Sequence, residues 1–374
     1  MNLKKFTKKI KLSPALGTSF INWMKLIIKN GWVFFKKIGR VSLITALILI
    51  WIPFRIFEKL RFHKLLDKIQ IKKPPIFIIG HWRSGTTYLH NLFVQDPQFG
   101  FITMVQAMFP GSFLTTTFFR RFLDVFMPNK RPMDNMEITP VKPQEEELAM
   151  SNLSPYSFYN AFYYPKNMMK YYYYYLRYKI NKEVILKKWK ETYMNLLKKA
   201  TFNMGRRQLI LKNPANTTRI KVLLEMFPNA KFVEIHRNHY IVYPSMLTFY
   251  QKAIKFFILK DISYKKVNKN ILKIYKNMMN TYFKQRKLIP EENLVEIKFE
   301  EFERHPLEEM EEIYKKFHIK GFEKNKSCFK THLESIKDYK KNKYKLNPNT
   351  ISRIDDYWEE IITKLQYHVP KEVL

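Results

Sequence analysis

Short, mainly apolar segments alternate with longer amphipathic stretches over most of this chain. The segments at residues 76–79, 99–104, 208–212, 230–238 and 294–299 are typical of strands, and the first of them has the uninterrupted apolar character of a strand buried on both faces. The stretch at residues 183–201 instead repeats apolar residues at helical spacing. Because strand, crossover helix and strand follow one another, we predict an α/β fold with a central parallel sheet flanked by helices.

The first 70 residues have a different pattern, in which basic, apolar and basic segments follow one another. Residues 41–54 carry no charge, but this run is shorter than the roughly 20 residues that a membrane-spanning helix needs. Three structures fit it: a helix in the membrane interface with Trp51 at headgroup level, a short tilted span, or a buried helix capping the domain. We predict that residues 1–70 associate with the cytoplasmic side of a membrane and that residues 71–374 form a domain that stays soluble and active without them.

A glycine-containing loop follows the first strand, at residues 80–87. Gly80 and Gly85 allow backbone torsions that other residues avoid, so the amides between them can turn inward around an anion. Thr86 and Thr87 then open a helix whose N-terminus points at the same anion. The two glycines have the spacing of the nucleotide-binding P-loop, and we therefore predict a P-loop NTPase-like three-layer fold.

The loop lacks the lysine of a nucleoside-triphosphate site, because Thr86 stands directly after the second glycine. A triphosphate needs that lysine together with Mg²⁺, which a hydroxyl and a second-strand Asp hold. Here the cation is Arg83, within the loop, whose planar guanidinium can reach a phosphate oxygen or the group being transferred. The pattern indicates a donor with a single 5′-phosphate.

Two further cations stand at strand ends, Lys212 and Arg237. Ligands of parallel sheets bind at the carboxyl ends of the strands, so both cations belong beside the loop. Ser245 follows Arg237 by eight positions (245 − 237), about two helical turns into the next helix, where both can hold one anion. Two anion sites on one sheet edge imply a bisphosphorylated nucleotide. Neither strand ends in the Asp that holds Mg²⁺ in an NTPase.

These segments resemble the nucleotide-binding motifs of sulfotransferases. Residues 80–87 are similar to the 5′-phosphosulfate loop Gly-x-x-Arg-Ser-Gly-Thr-Thr of a largely bacterial branch, and residues 236–245 to the family's 3′-phosphate segment. The resemblance covers residues 74–367 and implies 3′-phosphoadenosine 5′-phosphosulfate (PAPS) as co-substrate, 3′,5′-bisphosphoadenosine (PAP) as product, and no required metal. It implies catalytic roles for Arg83 and Lys212. It also implies that the nucleotide is bound by Arg83, Ser84, Gly85, Thr86, Thr87, Arg237 and Ser245.

The resemblance also bears on the base that takes the acceptor's proton. In this family a His often follows the strand-end Lys, but Asn216 stands at that position. Residues 143–147 resemble the Pro-Gln-Glu-Asp-Glu segment of the same branch, with Glu146 in place of Asp. We therefore predict a carboxylate base, Glu146 first and Glu145 second, with His81 as the alternative.

The amino-acid composition indicates which classes of binding partner the protein has. Lys and Arg number 67 against 32 Asp and Glu. The net charge of +35 either indicates an anionic partner, such as a nucleotide, a membrane surface or nucleic acid, or reflects the composition that an AT-rich genome produces, because the Lys excess is spread along the chain. We predict no nucleic-acid partner, because the basic residues form no single stripe and no recognition motif accompanies them. Cys328 is the only cysteine, which excludes an intrachain disulfide and a thiolate metal site and fits a reducing compartment.

Together these features predict an enzyme that transfers a sulfuryl group from PAPS to a hydroxyl or amine of a glycan, lipid or small-molecule acceptor. The Tyr-rich stretch at residues 156–178 is either acceptor-binding surface or packing. Three other functions stay open: a nucleotide or small-molecule kinase, a non-catalytic nucleotide-binding membrane protein, and a membrane adaptor that uses its basic surface alone. The sequence determines neither the acceptor nor the oligomeric state.

Overall fold

The computed structural model of the protein describes residues 13–31, 37–115, 131, 133–134, 136–178 and 182–374. Most of residues 113–126, which the sequence predicts as a core helix or one wall of an acceptor pocket, lies outside these ranges. Contacts divide the chain into two compact units. The helical unit comprises Met1–Lys72, Phe101–Arg207 and Gln251–Ser263, and the sheet unit comprises Lys73–Gly100, Gln208–Tyr250 and Tyr264–Leu374. The N-terminal segment thus groups with later residues, and the predicted division into 1–70 and 71–374 stays a prediction.

The strands and helices follow one another in chain order. The strands are β1 (Ile76–Ile79), β2 (Phe99–Gly100), β3 (Gln208–Lys212), β4 (Lys231–His236) and β5 (Leu294–Lys298). The first helices are α1 (Phe20–Asn30), α2 (Ile38–Asp67), α3 (Thr86–Phe93), α4 (Met104–Met108), α5 (Glu146–Leu153), α6 (Met168–Tyr175) and α7 (Lys182–Asn203). The later helices are α8 (Ile220–Met226), α9 (His239–Lys252), α10 (Tyr264–Gln285), α11 (Phe299–Arg304), α12 (Pro306–Lys316), α13 (Phe322–Ser335) and α14 (Pro348–Leu365).

The sheet has the predicted parallel arrangement, in the order β2-β3-β1-β4-β5. In the central strand β1, Ile78 pairs with Lys212 of β3 on one side and with Val233 of β4 on the other. The carboxyl ends of these strands therefore meet at one edge, where the glycine-containing loop begins. The predicted α/β fold with a central parallel sheet is confirmed.

One predicted strand is shorter than its apolar run. The sequence favours a strand over residues 99–104, but β2 ends at Gly100. Thr103 instead begins α4, because its hydroxyl accepts a hydrogen bond from the Gln106 amide while the Gln106 side chain accepts one from the Thr103 amide. This reciprocal cap satisfies amides that a helix start otherwise leaves unpaired.

The core of the sheet unit explains why β1 carries no polar residue. All four of its side chains are fully buried. Leu89, Leu92 and Phe93 of α3 pack on Ile76 and Ile78 within a cluster that also contains residues of β3, β4 and α12. Burying this apolar surface is the main term that stabilises the unit.

The helical unit includes the N-terminal helices in its core. Trp23 of α1 is fully buried, donates from Nε1 to the Thr45 hydroxyl of α2 at 2.9 Å, and meets the Tyr163 ring edge-on at 6.2 Å. In α7, Trp189 and Tyr193 stack at 4.7 Å between ring centroids. Removing residues 1–70 would therefore expose apolar surface of this unit.

Much of the tyrosine run has a packing role. In α6, Tyr171, Tyr172 and Tyr175 are buried. The Tyr171 hydroxyl accepts a hydrogen bond from Asn30 at 2.7 Å, and the Tyr175 hydroxyl accepts one from Lys29 at 2.5 Å. These contacts hold α1 against α6, so these rings favour the packing interpretation of the Tyr-rich stretch.

Candidate active site

The glycines of the loop are required by close approach of the backbone. Gly80 has φ 135°, and a Cβ there would lie 2.2 Å from the carbonyl oxygen of Ile235. Gly85 has φ 96°, and a Cβ would lie 2.1 Å from the ring of Phe299. Both positions also adopt backbone torsions that L side chains avoid. The loop between them is thus held tightly against β4 and against the residue that follows β5.

Arg83 joins the two segments that the sequence predicts as phosphate sites. Its Nε donates a hydrogen bond to the hydroxyl of Ser245 on α9 at 2.9 Å. Its backbone has φ 73°, in the left-handed region that non-glycine residues adopt only at a cost. The backbone torsion of Arg83 therefore costs conformational free energy, and it directs the guanidinium toward the Ser245 hydroxyl.

Arg237 lies in the same neighbourhood and has an unused donor. Its guanidinium carbon is 4.3 Å from the centroid of the Phe299 ring. Among the residues that the structure describes, its buried Nε has no hydrogen-bond partner. Burial lowers the Arg237 pKa, nearby Glu300 and Glu303 raise it, and Arg83 lowers it through like-charge repulsion. A buried donor beside a second guanidinium fits an anion that would satisfy the donor and relieve the repulsion.

Lys212 stands at the carboxyl end of β3, opposite Ile78, and is 2% exposed. Gly80 follows Ile78 by two positions, so the cation lies at the edge where the loop starts. The buried imidazole of His90 on α3 is close by, and its pKa is lowered by burial first and by the Lys212 charge second. The structure thus brings Lys212, Arg83, Arg237 and Ser245 to one side of the sheet unit.

His81 is buried in the loop and remains neutral at physiological pH. Its Nδ1 lies 2.8 Å from the Trp82 carbonyl oxygen, which can only accept, so Nδ1 carries the proton. Burial lowers the pKa of His81 to about 3, and its ring meets that of Tyr275 edge-on at 4.7 Å. Because a group with so low a pKa is a weak base, the environment of His81 disfavours it as the group that takes the acceptor's proton.

Sequence reasoning missed a buried polar cluster that supports the loop. The Gly80 amide donates to the Thr217 hydroxyl at 2.8 Å, and that hydroxyl donates to the Gly80 carbonyl at 3.1 Å. Asn216, where the family often has His, is fully buried and accepts hydrogen bonds from Arg219 at 3.3 Å and Asn213 at 3.4 Å. The Thr217 side chain therefore holds the loop's first residue, and Asn216 bonds the neighbouring residues of the same turn. Both roles could be anticipated only from the position of these residues directly after β3.

The carboxylates at residues 145–147 belong to the helical unit, at the start of α5. Oε1 of the buried Glu147 accepts from the Ser157 hydroxyl and from the Phe158 amide, both at 2.8 Å. It therefore orders the helical turn at Phe158–Phe162. Glu145 accepts a hydrogen bond from the hydroxyl of Tyr159. Glu146 is 0% exposed, and its role as the base stays a prediction.

Within the described part of the chain, no three His, Cys, Asp or Glu residues are grouped as a metal site. The catalytic and nucleotide-binding roles predicted for Arg83, Lys212, Arg237 and Ser245 stay predictions. Their proximity and chemistry fit two phosphate groups.

Comparison with known proteins relates the chain to one family. Residues 74–324 match the model of the sulfotransferase family. The chain is 30% identical over 365 residues to the omega-hydroxy-beta-dihydromenaquinone-9 sulfotransferase Stf3 of Mycobacterium bovis, covering 95% of this chain and 92% of that protein. The protein of the same name from Mycobacterium tuberculosis matches with the same identity and coverage.

Solved structures share the fold. The sulfotransferase STF9 of Mycobacterium avium matches with a TM-score of 0.72 at 15% identity, covering 100% of this chain and 97% of that one. The sulfotransferase STF1 of M. tuberculosis H37Rv matches with a TM-score of 0.62 at 16% identity, covering 96% and 93%. At these identities the similarity establishes the P-loop-like fold.

Proposed function

Because the chain belongs to the sulfotransferase family, we propose that it transfers the sulfuryl group of PAPS to a hydroxyl group of a lipid. The observation that supports PAPS as the sulfuryl donor is the pairing of two guanidiniums at one sheet edge. Arg83 donates to Ser245, and Arg237 has a buried Nε without a partner in the described residues. Two phosphate positions on one nucleotide match this arrangement better than a triphosphate chain, which needs a lysine and Mg²⁺.

Each phosphate group of the nucleotide has candidate binding residues. The loop amides from Arg83 to Thr87 and the start of α3 hold the 5′ side, where the helix dipole favours an anion. Arg237 and Ser245 hold the 3′-phosphate by charge-assisted hydrogen bonds. Phe299 supports both sides, since its ring lies against Gly85 and against the Arg237 guanidinium.

During transfer, the bond from sulfur to the 5′-phosphate oxygen breaks and a bond from sulfur to the acceptor oxygen forms. Arg83 and Lys212 stabilise the negative charge that grows on the leaving phosphate. Glu146, or in its place Glu145, takes the acceptor's proton. The Ala variant of Arg83 or of Lys212 should lower kcat by about 10²–10³, the loss expected for a preorganised charge stabiliser.

The acceptor class comes from the relatives rather than from the site. The curated relatives are named for the sulfation of a hydroxylated menaquinone, and the sequence leaves lipid, glycan and small-molecule acceptors open. We take the lipid, and with it the association with the cytoplasmic side of the membrane, because the N-terminal helix α2 is long and apolar. Its most apolar 18-residue stretch has a mean hydropathy of 1.9, and in the part of the chain that the structure describes only this helix meets the length and composition of a membrane span.

Calorimetric titration with PAP and with ATP plus Mg²⁺ separates the proposed reaction from the alternatives. PAP should bind without a divalent cation, and transfer from PAPS to a long-chain polyprenyl alcohol in detergent should add one sulfuryl group by mass spectrometry. Turnover of ATP without PAP binding would point to the kinase. PAP binding without transfer to lipid, glycan or small alcohols would point to the non-catalytic nucleotide-binding protein.

A further inference from the structure

Helix α2 departs from the polarity expected for a helix on a water-soluble protein, because apolar residues lie on its outward face as well as on its inward face, where Ile44, Ile48 and Leu66 are buried. Such helices turn apolar residues inward and charged residues outward. Here Arg55 points inward and donates to the Gly17 carbonyl at 2.6 Å, and Glu58 is 1% exposed. The outward-facing large apolar side chains, each between 46% and 70% exposed, are Ile38, Leu43, Leu49, Ile50, Ile56, Phe57 and Leu60. Because successive helical residues turn by about 100°, these seven fall on one face.

The buried charge of Glu58 holds α2 in this rotation. Its carboxylate accepts from Lys199 Nζ at 2.5 Å, from the Leu114 amide at 2.8 Å, and from the amide and hydroxyl of Thr115 at 3.1 and 3.2 Å. A buried charge is tolerated only when it is paired and hydrogen-bonded, so turning the helix to hide its apolar face would break this set. The exposure of that face is therefore built into the unit.

Helix α2 contacts the rest of the helical unit along much of its length. They extend from Thr45, through Trp51 Nε1 donating to Ser112 Oγ at 2.7 Å, to Glu58. These positions span 13 residues (58 − 45), about 20 Å at 1.5 Å per residue. A helix crossing the bilayer would carry this attached, hydrogen-bonded protein into the hydrocarbon, where polar groups and irregular backbone are costly. The contacts favour a helix that lies along a membrane surface.

Exposed charges near the apolar face are mostly basic, and Asp67 is the exposed acid at the end of α2. Lys59, Arg61 and Lys64 are exposed near the C-terminal end of α2. On α1, Ile21 and Ile28 are 64% and 72% exposed, and Lys25 shares their helical face. Basic residues bordering an apolar face are typical of helices that lie in an anionic membrane interface.

We propose that α2, assisted by α1, is an in-plane membrane anchor. Its outward face lies at the boundary between headgroups and acyl chains of an anionic bilayer, and its basic residues contact lipid phosphates. Of the three structures that the sequence left open for residues 41–54, this selects the interfacial helix. The inference rests on the proposed membrane association and is independent of the proposed reaction.

Sedimentation with vesicles tests the anchor. The intact protein should bind phosphatidylcholine vesicles weakly and vesicles that also contain phosphatidylglycerol strongly, with binding reduced by salt. The triple variant Ile50→Ser, Ile56→Ser, Phe57→Ser should lower binding by about 10–100-fold, because three large apolar side chains no longer insert. The matched variant Val184→Ser, Tyr264→Ser, Leu288→Ser removes three exposed apolar side chains elsewhere and should bind as the unaltered protein does.

Spin labels distinguish an in-plane helix from a span. Leu43→Cys, Ile50→Cys and Phe57→Cys, each in a Cys328→Ser background, place labels on one face over 14 residues (57 − 43), about 21 Å of helix. An in-plane helix gives all three labels similar depths, whereas a span spreads them by most of that length. A depth spread near 20 Å would overturn the proposal, as would a detergent-free protein that ignores vesicles and pairs with a second copy through this face. PAP affinity should be unchanged in the triple Ser variant, so failure of the anchor and failure of the nucleotide site are separate results.

Discussion

The substitution Arg237→Ala tests whether the second guanidinium of the site holds the 3′-phosphate. The Nε of Arg237 is buried and has no partner among the described residues, so a phosphate oxygen is the acceptor it lacks. Charge-assisted hydrogen bonds contribute about 1.5–3 kcal/mol. A central value of about 2 kcal/mol corresponds to about 30-fold weaker PAP binding in the variant.

Three other effects of the substitution must be separated from the phosphate contact. The variant loses the packing of the guanidinium on Phe299, removes the repulsion with Arg83, and removes the cation near Glu300 and Glu303. Each of these acts on the protein whether or not a 3′-phosphate is present. Adenosine 5′-monophosphate, which lacks that phosphate, therefore serves as the reference ligand.

Calorimetry with both nucleotides isolates the 3′-phosphate contact. Arg237→Ala should weaken PAP about 30-fold and adenosine 5′-monophosphate by less than about twofold. Arg83→Ala should weaken both, because the loop arginine faces the 5′ side. Arg304→Ala, which removes an exposed arginine of the same unit, is the control and should change neither affinity. Equal weakening of both nucleotides by Arg237→Ala would refute the assignment and leave Arg237 a structural role.

Three further predictions concern groups whose environments differ. Glu146→Gln should remove most turnover and spare PAP affinity, whereas Glu147→Gln should lower the melting temperature by weakening the bonds to residues 157–158; equal kinetics in both variants would contradict a carboxylate base at Glu146. Lys199→Met leaves the Glu58 carboxylate buried without its cation and should cost about 3–5 kcal/mol of stability by denaturant unfolding; a loss below about 1 kcal/mol would contradict the buried pair. Burial lowers the pKa of His81 to about 3, so the unfolded chain, with a His pKa near 6.5, takes up a proton that the folded protein excludes, and stability present above that pH is lost as pH falls toward 3. When the pH is lowered from 7 to 5, the free energy of unfolding of His81→Gln, measured with denaturant, should therefore fall by about 2 kcal/mol less than that of the unaltered protein. Equal decreases in the two proteins would refute this.

The residues that meet at the carboxyl edge of the sheet could be predicted from the sequence, because the features that determine them are local. Each strand is a short apolar segment, and in parallel strands the residues that follow the carboxyl ends meet at one edge. Arg83, Lys212 and Arg237 could therefore be expected together from the sequence alone. Gly80 and Gly85 were predictable for the same reason, since their torsions are a property of the loop itself.

Contacts between residues that are far apart in the sequence could not be predicted from it. Nothing in the sequence near Thr217 or Phe299 shows that one holds Gly80 and the other lies against both Gly85 and Arg237. These contacts depend on which segments follow neighbouring strands in space. Periodicity records only whether a position is apolar.

The sequence determined that residues 41–54 are apolar and bordered by basic residues, and it left three structures open. Only the tertiary structure decided which face of α2 is turned outward. The deciding interaction is the ion pair of Glu58 with Lys199, 141 residues later in the chain. A buried charge must have its partner, and a partner that far along the chain is supplied by folding rather than by any local pattern, so the apolar face of this helix is left exposed.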